Sequence, residues 1–278
     1  LVKMIADWFD EKSVVTAMAL MLCGWPVGIA IALATLGPLA ETWGWQPIMH
    51  LTAVVCILAV VTVWLGYRPP PGSKTSTGGR MGFHMPRREL KMVLYAGLVW
   101  TVYNLAYFSI ISFGPALLLE RGLDVAAAGA AISLASWAAL PALPLGGYLA
   151  DRTGRPDLVL GISCILAAGA AALLPMTDHP YLLCAIVGLF AAAPAGLIMG
   201  RAISLMSPPH RAQGNAILYT FFYGGMGLIP SVVGWGADVT GTAATPLYFS
   251  ASALLLSVPL FLVLHAMASR LSVERAAV

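Results

Sequence analysis

Long apolar stretches, separated by short polar or turn-forming segments, make up most of this sequence. Eight of the stretches reach the roughly 20 mostly apolar residues that an α-helix needs to cross a lipid bilayer. They run approximately over Val14–Leu39, Ile48–Gly66, Met92–Leu117, Val125–Ala150, Leu158–Met176, Tyr181–Met206, Gln213–Ala237 and Leu247–Met267. The connections are rich in Gly, Pro, Thr and Asp, which favour turns. The pattern predicts an all-α integral membrane protein with eight transmembrane helices.

The basic residues divide unequally between the two sides of this predicted membrane. When successive connections are assigned to alternate sides, 14 of the 15 Lys and Arg residues fall on one side of the membrane. Only Arg121 falls on the other side. Lys and Arg in short connections mark the cytoplasmic side. We therefore predict a multi-pass protein of the cell (inner) membrane with both ends of this chain in the cytoplasm. An odd number of spans would destroy the alternation.

The overall composition fits a membrane protein and excludes several other classes. Charged residues are 10% of the chain and its mean hydropathy is +0.85, whereas about 25% of the residues of a soluble domain are charged. The net charge of +3 is too small and too dispersed to indicate nucleic-acid binding. The four cysteines lie inside apolar stretches without metal-ligand spacing. We expect no metal, no cofactor and no nucleic-acid partner.

The longest connection predicts a division of the chain into two helical parts. It covers residues 67–90 and contains three consecutive prolines followed by a Gly/Ser/Thr-rich tract. This composition is typical of a flexible linker. We predict domains at residues 1–66 and 91–278, with two spans before the cytoplasmic linker and six after it.

One charged segment interrupts the apolar pattern between the fourth and fifth spans. Gly147, Asp151, Arg152, Gly154 and Arg155 fit the spacing Gly-x-x-x-Asp-Arg-x-Gly-Arg. Gly147 allows a neighbouring helix to approach, Gly154 permits a tight turn, and the arginines can pair with carboxylates or lipid phosphates. A generic basic hairpin loop is the alternative, although two arginines alone would suffice for it.

This spacing resembles the loop signature of the major facilitator superfamily of secondary transporters. The resemblance implies a bundle of twelve helices divided six and six, with the signature acting as a gate latch. The chain then resembles helices five to twelve, and Leu1–Phe9 resembles the end of helix four. The implied partners are the missing N-terminal helices of the same protein, the lipid bilayer and a small-molecule solute, and we expect a monomer.

The resemblance also implies a solute site near the bilayer midplane, between the two halves. Polar groups at that depth must find partners and therefore point inward. The candidates are Trp25, Tyr103, Asn104, Tyr107, Trp137, Tyr219 and Tyr223. Interhelical packing and hydrogen bonding is the alternative for each of them, and it explains the nearby Ser136 and Phe222 more readily.

Arg201 is a candidate contact for an anionic solute, because a guanidinium can bind a carboxylate through two hydrogen bonds. Its alternative role is to extend toward the lipid headgroups. None of the eight stretches contains Asp or Glu, so a proton relay would have to lie in the missing helices. His265, near the cytoplasmic end of the last span, suits a capping or interfacial role better than proton transfer.

The leading functional hypothesis is secondary active transport of a small solute by alternating access, as a symporter or antiporter. The chain looks most like bacterial members that handle organic or inorganic anions. A membrane-embedded enzyme is the alternative, but no catalytic cluster such as His-Glu-x-x-His occurs in the sequence. A non-transporting sensor built on the same scaffold is the second alternative.

Overall fold

The computed structural model describes residues 14–68, 85–207 and 210–276, with side chains over 23–68, 85–207 and 210–270. Nine α-helices occupy the described residues, which contain no strand. In chain order they are α1 Val14–Trp43, α2 Trp45–Gly66, α3 Arg87–Glu120, α4 Val125–Thr153, α5 Pro156–Leu173, α6 Pro180–Ala192, α7 Ala195–Ser204, α8 Arg211–Thr240 and α9 Thr245–Ala276. The segment Leu1–Phe9 and most of the linker predicted at 67–90 lie outside the described residues.

The predicted number of spans is confirmed for the part of the chain that the structure describes. Eight helical segments there are long and apolar enough to cross a membrane. The sixth is divided into α6 and α7, and several helices extend a turn beyond the predicted edges. The connection between the first two spans is reduced to Gly44, whose φ of 81° suits glycine.

The chain divides into two units, residues Leu1–Gly82 and Phe83–Val278. In the first unit α1 and α2 contact each other. Only 6% of the 18-residue apolar stretch of α2 is buried. Most of the side chains of α2 are therefore exposed. Apolar surface of this extent is covered in a membrane protein by lipid or by other helices.

The second unit is built around α3, which packs against α4, α8 and α9. More than half of the 18-residue apolar stretch of α3 is buried, which is the largest buried share among the eight spans. The α4 helix packs on α6, and α5 packs on both α6 and α9. This arrangement places the middle of α3 against the point where α6 ends and α7 begins.

Two glycines let α4 and the α6–α7 segment approach each other closely. A Cβ atom at Gly188 would overlap the backbone of Ala135, and one at Gly146 would overlap the backbone of Ala193. Association of helices inside a membrane depends on such close packing because burial of apolar surface gives little driving force there. The two contacts fix α4 against both sides of the α6–α7 junction.

The helix termini of the second unit define two ends of the bundle. We call the end that carries the α4–α5 turn, with Arg152 and Arg155, the basic end. At the opposite end the Arg121 side chain donates to the carbonyl oxygens of Leu174 (2.9 Å) and Thr177 (2.7 Å) and pairs with Asp178 at 2.8 Å. Arg121 therefore has a local structural role in joining the α3–α4 and α5–α6 connections.

Candidate functional site

The junction between α6 and α7 is held by a tyrosine from another helix. Pro194 has no N–H group with which to continue the backbone ladder. The buried Tyr103 hydroxyl donates to the Ala191 carbonyl. Tyr103 thereby satisfies a backbone group next to the break at membrane depth, where an unpaired polar group is costly.

The second predicted tyrosine of α3 also makes a contact between helices. Tyr107 is buried, and its hydroxyl lies 3.3 Å from the hydroxyl oxygen of the fully buried Ser136 on α4. Tyr103 and Tyr107 are one turn apart and therefore project from the same face of α3. Within the second unit that face contacts other helices, so the packing interpretation describes these two hydroxyls well.

Asn104 lies on a different, half-buried face of α3. Trp100 and Phe108 are one turn away on either side and are half-buried as well. The Asn104 amide donates one hydrogen bond, from Nδ2 to the Trp100 carbonyl at 2.8 Å. Its Oδ1 atom has no partner among the described residues, and the same holds for the buried Nε1–H of Trp100. Unused polar groups are thus concentrated between two aromatic rings.

Phe222 of α8 contacts both of those rings. Its ring centroid is 6.3 Å from that of Trp100 and 6.0 Å from that of Phe108. These separations are in the range of favourable aromatic pairs. We call Trp100, Asn104, Phe108 and Phe222 together the Asn104 face.

Tyr219 and Tyr223 extend the aromatic surface along α8. Their rings are stacked, 6.1 Å apart, and each also contacts Phe222, at 6.4 and 5.0 Å respectively. Both are exposed, and their hydroxyls make no hydrogen bond with any described residue. The structure therefore brings Asn104, Tyr219 and Tyr223 into one neighbourhood through Phe222.

Two further candidates of the second unit lie on other helices, and a third belongs to the first unit. Trp137 is exposed on α4, about 100° around the helix from the buried Ser136. Trp25 is exposed on α1 in the first unit. Arg201 is half-buried in the last turn of α7, and its guanidinium pairs with no described side chain.

The charged signature forms the turn between α4 and α5 at the basic end. Gly154 caps α4 with a φ of 64°, and its N–H donates to the Ala150 carbonyl. Arg152 donates to the Tyr148 hydroxyl at 3.0 Å. Among the described residues Gly147 faces open space, and the close approach is made by the adjacent Gly146. The side chains of Asp151 and Arg155 are exposed and make no contact with a described polar group.

Two histidine–carboxylate contacts also lie at the basic end. His265 of α9 bonds through Nδ1 to Asp157 in the first turn of α5. Glu89, in the first turn of α3, accepts from the Ser207 backbone N–H at 2.6 Å and from its hydroxyl at 2.9 Å, and His210 Nδ1 lies 2.8 Å from the same carboxylate. These contacts fasten the ends of α5 and α9 together, and the start of α3 to the α7–α8 connection.

The described side chains of the second unit include groups that can bind a small molecule. No group of three or more metal-ligating side chains occurs in the described residues. The half-buried faces instead offer aromatic rings, amide and hydroxyl groups, and one unpaired guanidinium. Such a set can orient a small molecule through stacking and hydrogen bonds. Together with eight candidate spans, it defines a multi-pass helical membrane protein with polar groups at mid-depth.

Sequence comparison gives the family. The sequence model of the Major Facilitator Superfamily matches residues 1–119 and, in a second match, residues 96–276. The chain belongs to this superfamily, as its charged signature indicated.

Two curated relatives are named transporters. A 3-(3-hydroxy-phenyl)propionate transporter of Escherichia coli (strain K12) is 30% identical over 208 residues, which are 72% of this chain and 50% of the relative. A protein of Agrobacterium vitis, provisionally named a tartrate transporter, is 24% identical over 290 aligned positions, 94% of this chain and 64% of the relative. The chain thus spans between half and two thirds of the length of these relatives.

Solved structures show the same fold. Crystal structures of a bacterial homologue of the human lysosomal transporter Spinster, in inward-facing unoccupied and occupied conformations, superpose with TM-scores of 0.59 and 0.58. They are 18% and 19% identical to this chain, cover 96% and 97% of it, and are themselves covered to 72%.

Proposed function

We propose that the protein moves a small organic anion across the cell (inner) membrane by alternating access. The single observation that carries this proposal is a half-buried, unpaired guanidinium, Arg201, in a family member whose two curated relatives are both named for the transport of organic acids. The first relative is named for an aromatic acid and the second for an aliphatic one. No covalent step is required, and binding followed by a change of access is sufficient.

The position of Arg201 favours a solute contact over extension to the lipid headgroups. In an α-helix every Cα–Cβ bond is tilted toward the N-terminus of the helix. The α7 helix begins at the mid-bundle break next to Ala193 and Pro194 and ends near the basic end. The side chain of Arg201 therefore starts in the direction of the bundle centre, away from the nearer headgroups.

The charged signature would serve as a latch at the basic end. The side chains of Asp151 and Arg155 are exposed and have no described partner. Groups on another part of the protein can therefore bind them in one state of the transport cycle and release them in the other. This role supports the cycle and involves no contact with the solute.

The proposed orientation places the basic end in the cytoplasm. In a cysteine-free background, Arg155→Cys should react with a membrane-impermeant thiol reagent only after cells are opened. Ala126→Cys, exposed in the first turn of α4 at the opposite end, should react in intact cells. The positive-inside distribution is the physical reason. The reverse labelling pattern would contradict the orientation.

Transport can be tested without knowledge of the coupling ion. The complete gene product is reconstituted into proteoliposomes loaded with unlabelled 3-phenylpropionate or tartrate, and entry of the same labelled acid by counterflow is measured. We expect counterflow of at least one acid above that of protein-free liposomes. Absence of counterflow for every organic acid tested, with protein that elutes as a folded species, would contradict the proposal and favour a non-transporting sensor.

A further inference from the structure

The Asn104 face combines aromatic rings with unused hydrogen-bonding groups. Trp100, Asn104 and Phe108 are each half-buried, whereas their neighbours on α3, from Thr101 to Tyr107, are mostly buried. The open side of this part of α3 therefore consists of ring, amide and ring in succession. Phe222 reaches both rings from α8, so the rings line a common surface.

We propose that the Asn104 face binds the planar ring of the solute, so that the transported anion is an aromatic carboxylate. This inference rests on the proposed function. The Phe222 ring lies about 6 Å from each of the other two rings, and such a group can add a further ring by offset or edge-to-face contact. A hydroxylated aliphatic acid would gain nothing from those contacts and would leave three aromatic surfaces against its hydration shell.

One unused polar group fits a substituent in the plane of such a ring. Asn104 Oδ1 can accept a hydrogen bond from a ring hydroxyl, and it has no partner in the described part of the chain. The Nε1 atom of Trp100 is fully buried, so it takes no part in this contact.

The depth of the Asn104 face relative to Arg201 suits a ring with a short acidic side chain. The bond from Tyr103 to Ala191 sets the middle of α3 level with the end of α6. Arg201 lies ten residues further along, about 15 Å toward the basic end at 1.5 Å per residue. Trp100 is about 6 Å from Asn104 in the same direction, and the Cα–Cβ bond of Arg201 is tilted back toward the start of α7. The Cα atoms of Trp100 and Arg201 are thus about 10 Å apart in depth, which an arginine side chain and a short acidic chain can span together.

The decisive experiment compares acids that differ only in aromaticity. The complete gene product in proteoliposomes is assayed for counterflow of labelled 3-phenylpropionate, with unlabelled 3-phenylpropionate, 3-cyclohexylpropionate and tartrate as competitors. We expect 3-cyclohexylpropionate, which has the same carboxylate and chain length, to compete at least about ten-fold more weakly. Tartrate should compete weakly or not at all.

Variants locate the effect at the proposed surface. Phe108→Leu and Phe222→Leu should each raise the KM for 3-phenylpropionate about three- to ten-fold, the range expected for loss of one aromatic pair, with little change in maximal rate. Phe113→Leu is the matched control, because Phe113 lies on the same helix but packs near Gly234 of α8, away from the Asn104 face.

Failure of this inference can be distinguished from failure of the proposed function. Equal competition by the phenyl and cyclohexyl acids, or counterflow of tartrate without 3-phenylpropionate, would overturn the inference and leave organic-anion transport intact. Equal KM changes in all three phenylalanine variants would remove the assignment of the site. Absence of counterflow for every acid would overturn both. The comparison of acids uses the unmodified protein and so does not depend on the folding of any variant.

Discussion

Replacement of Arg201 by glutamine is expected to reduce organic-anion transport about 100-fold or more, with the protein still folded. Loss of one partner of a desolvated charge pair typically costs 2–5 kcal/mol, and each 1.4 kcal/mol is about a factor of ten. Arg201 pairs with no described side chain, so its removal breaks no described internal ion pair. Counterflow kinetics should show the loss mainly as a higher KM.

Two further substitutions separate the solute contact from a headgroup contact. Arg201→Lys keeps the charge but not the planar fork that binds a carboxylate through two bonds, and we expect about a ten-fold loss. Arg270→Gln, which removes an exposed arginine from the basic end of α9, should be close to normal. Full activity of Arg201→Lys would indicate that position 201 needs only a cation able to reach the headgroups.

Substitution of Gly188 or Gly146 by alanine is expected to destabilise the second unit strongly. The new Cβ atom would overlap the backbone of Ala135 or Ala193 respectively, and a backbone cannot rotate away as a side chain can. Overpacking of this kind costs about 1–3 kcal/mol. Thermal unfolding of the purified protein in detergent should show a lower Tm for each variant.

Gly147→Ala is the matched control for this test. It changes the residue next to Gly146 in the same helix, at a position where no described atom lies within 4 Å of the added Cβ. Alanine favours a helix interior by about 1 kcal/mol over glycine, so the Tm should stay the same or rise. A lower Tm for Gly147→Ala but not for Gly146→Ala would contradict the packing described for α4.

The number of spans could be predicted from the sequence because length and apolarity alone determine whether a helix can cross a bilayer. The division of the sixth span could not, since Pro194 is one of several mid-span prolines. Pro141, Pro144 and Pro230 lie inside continuous helices. Whether a proline breaks a helix depends on the neighbours that satisfy the freed backbone groups, here Tyr103, and this is a property of tertiary structure.

The candidate site could be anticipated in part. Asn104 was identifiable as a polar residue at mid-span, and Trp100 and Phe108 could have been found by reading one turn in each direction. That Tyr103 and Tyr107 face other helices while Asn104 lies on a half-buried face depends on helix rotation, which the uniformly apolar spans do not determine. The partnerships of Glu89 with His210, and of Asp157 with His265, join residues more than 100 positions apart, and no local pattern reveals them.

The bond from Tyr103 to the Ala191 carbonyl has a consequence for the divergence of related proteins. A helix with an uninterrupted sixth span satisfies that carbonyl itself, through the N–H of Ala195, and places no demand on position 103. A span that is broken after Ala192 needs a donor from outside. The phenol and the break therefore form one inherited unit, and homologues that lose one should tend to lose the other.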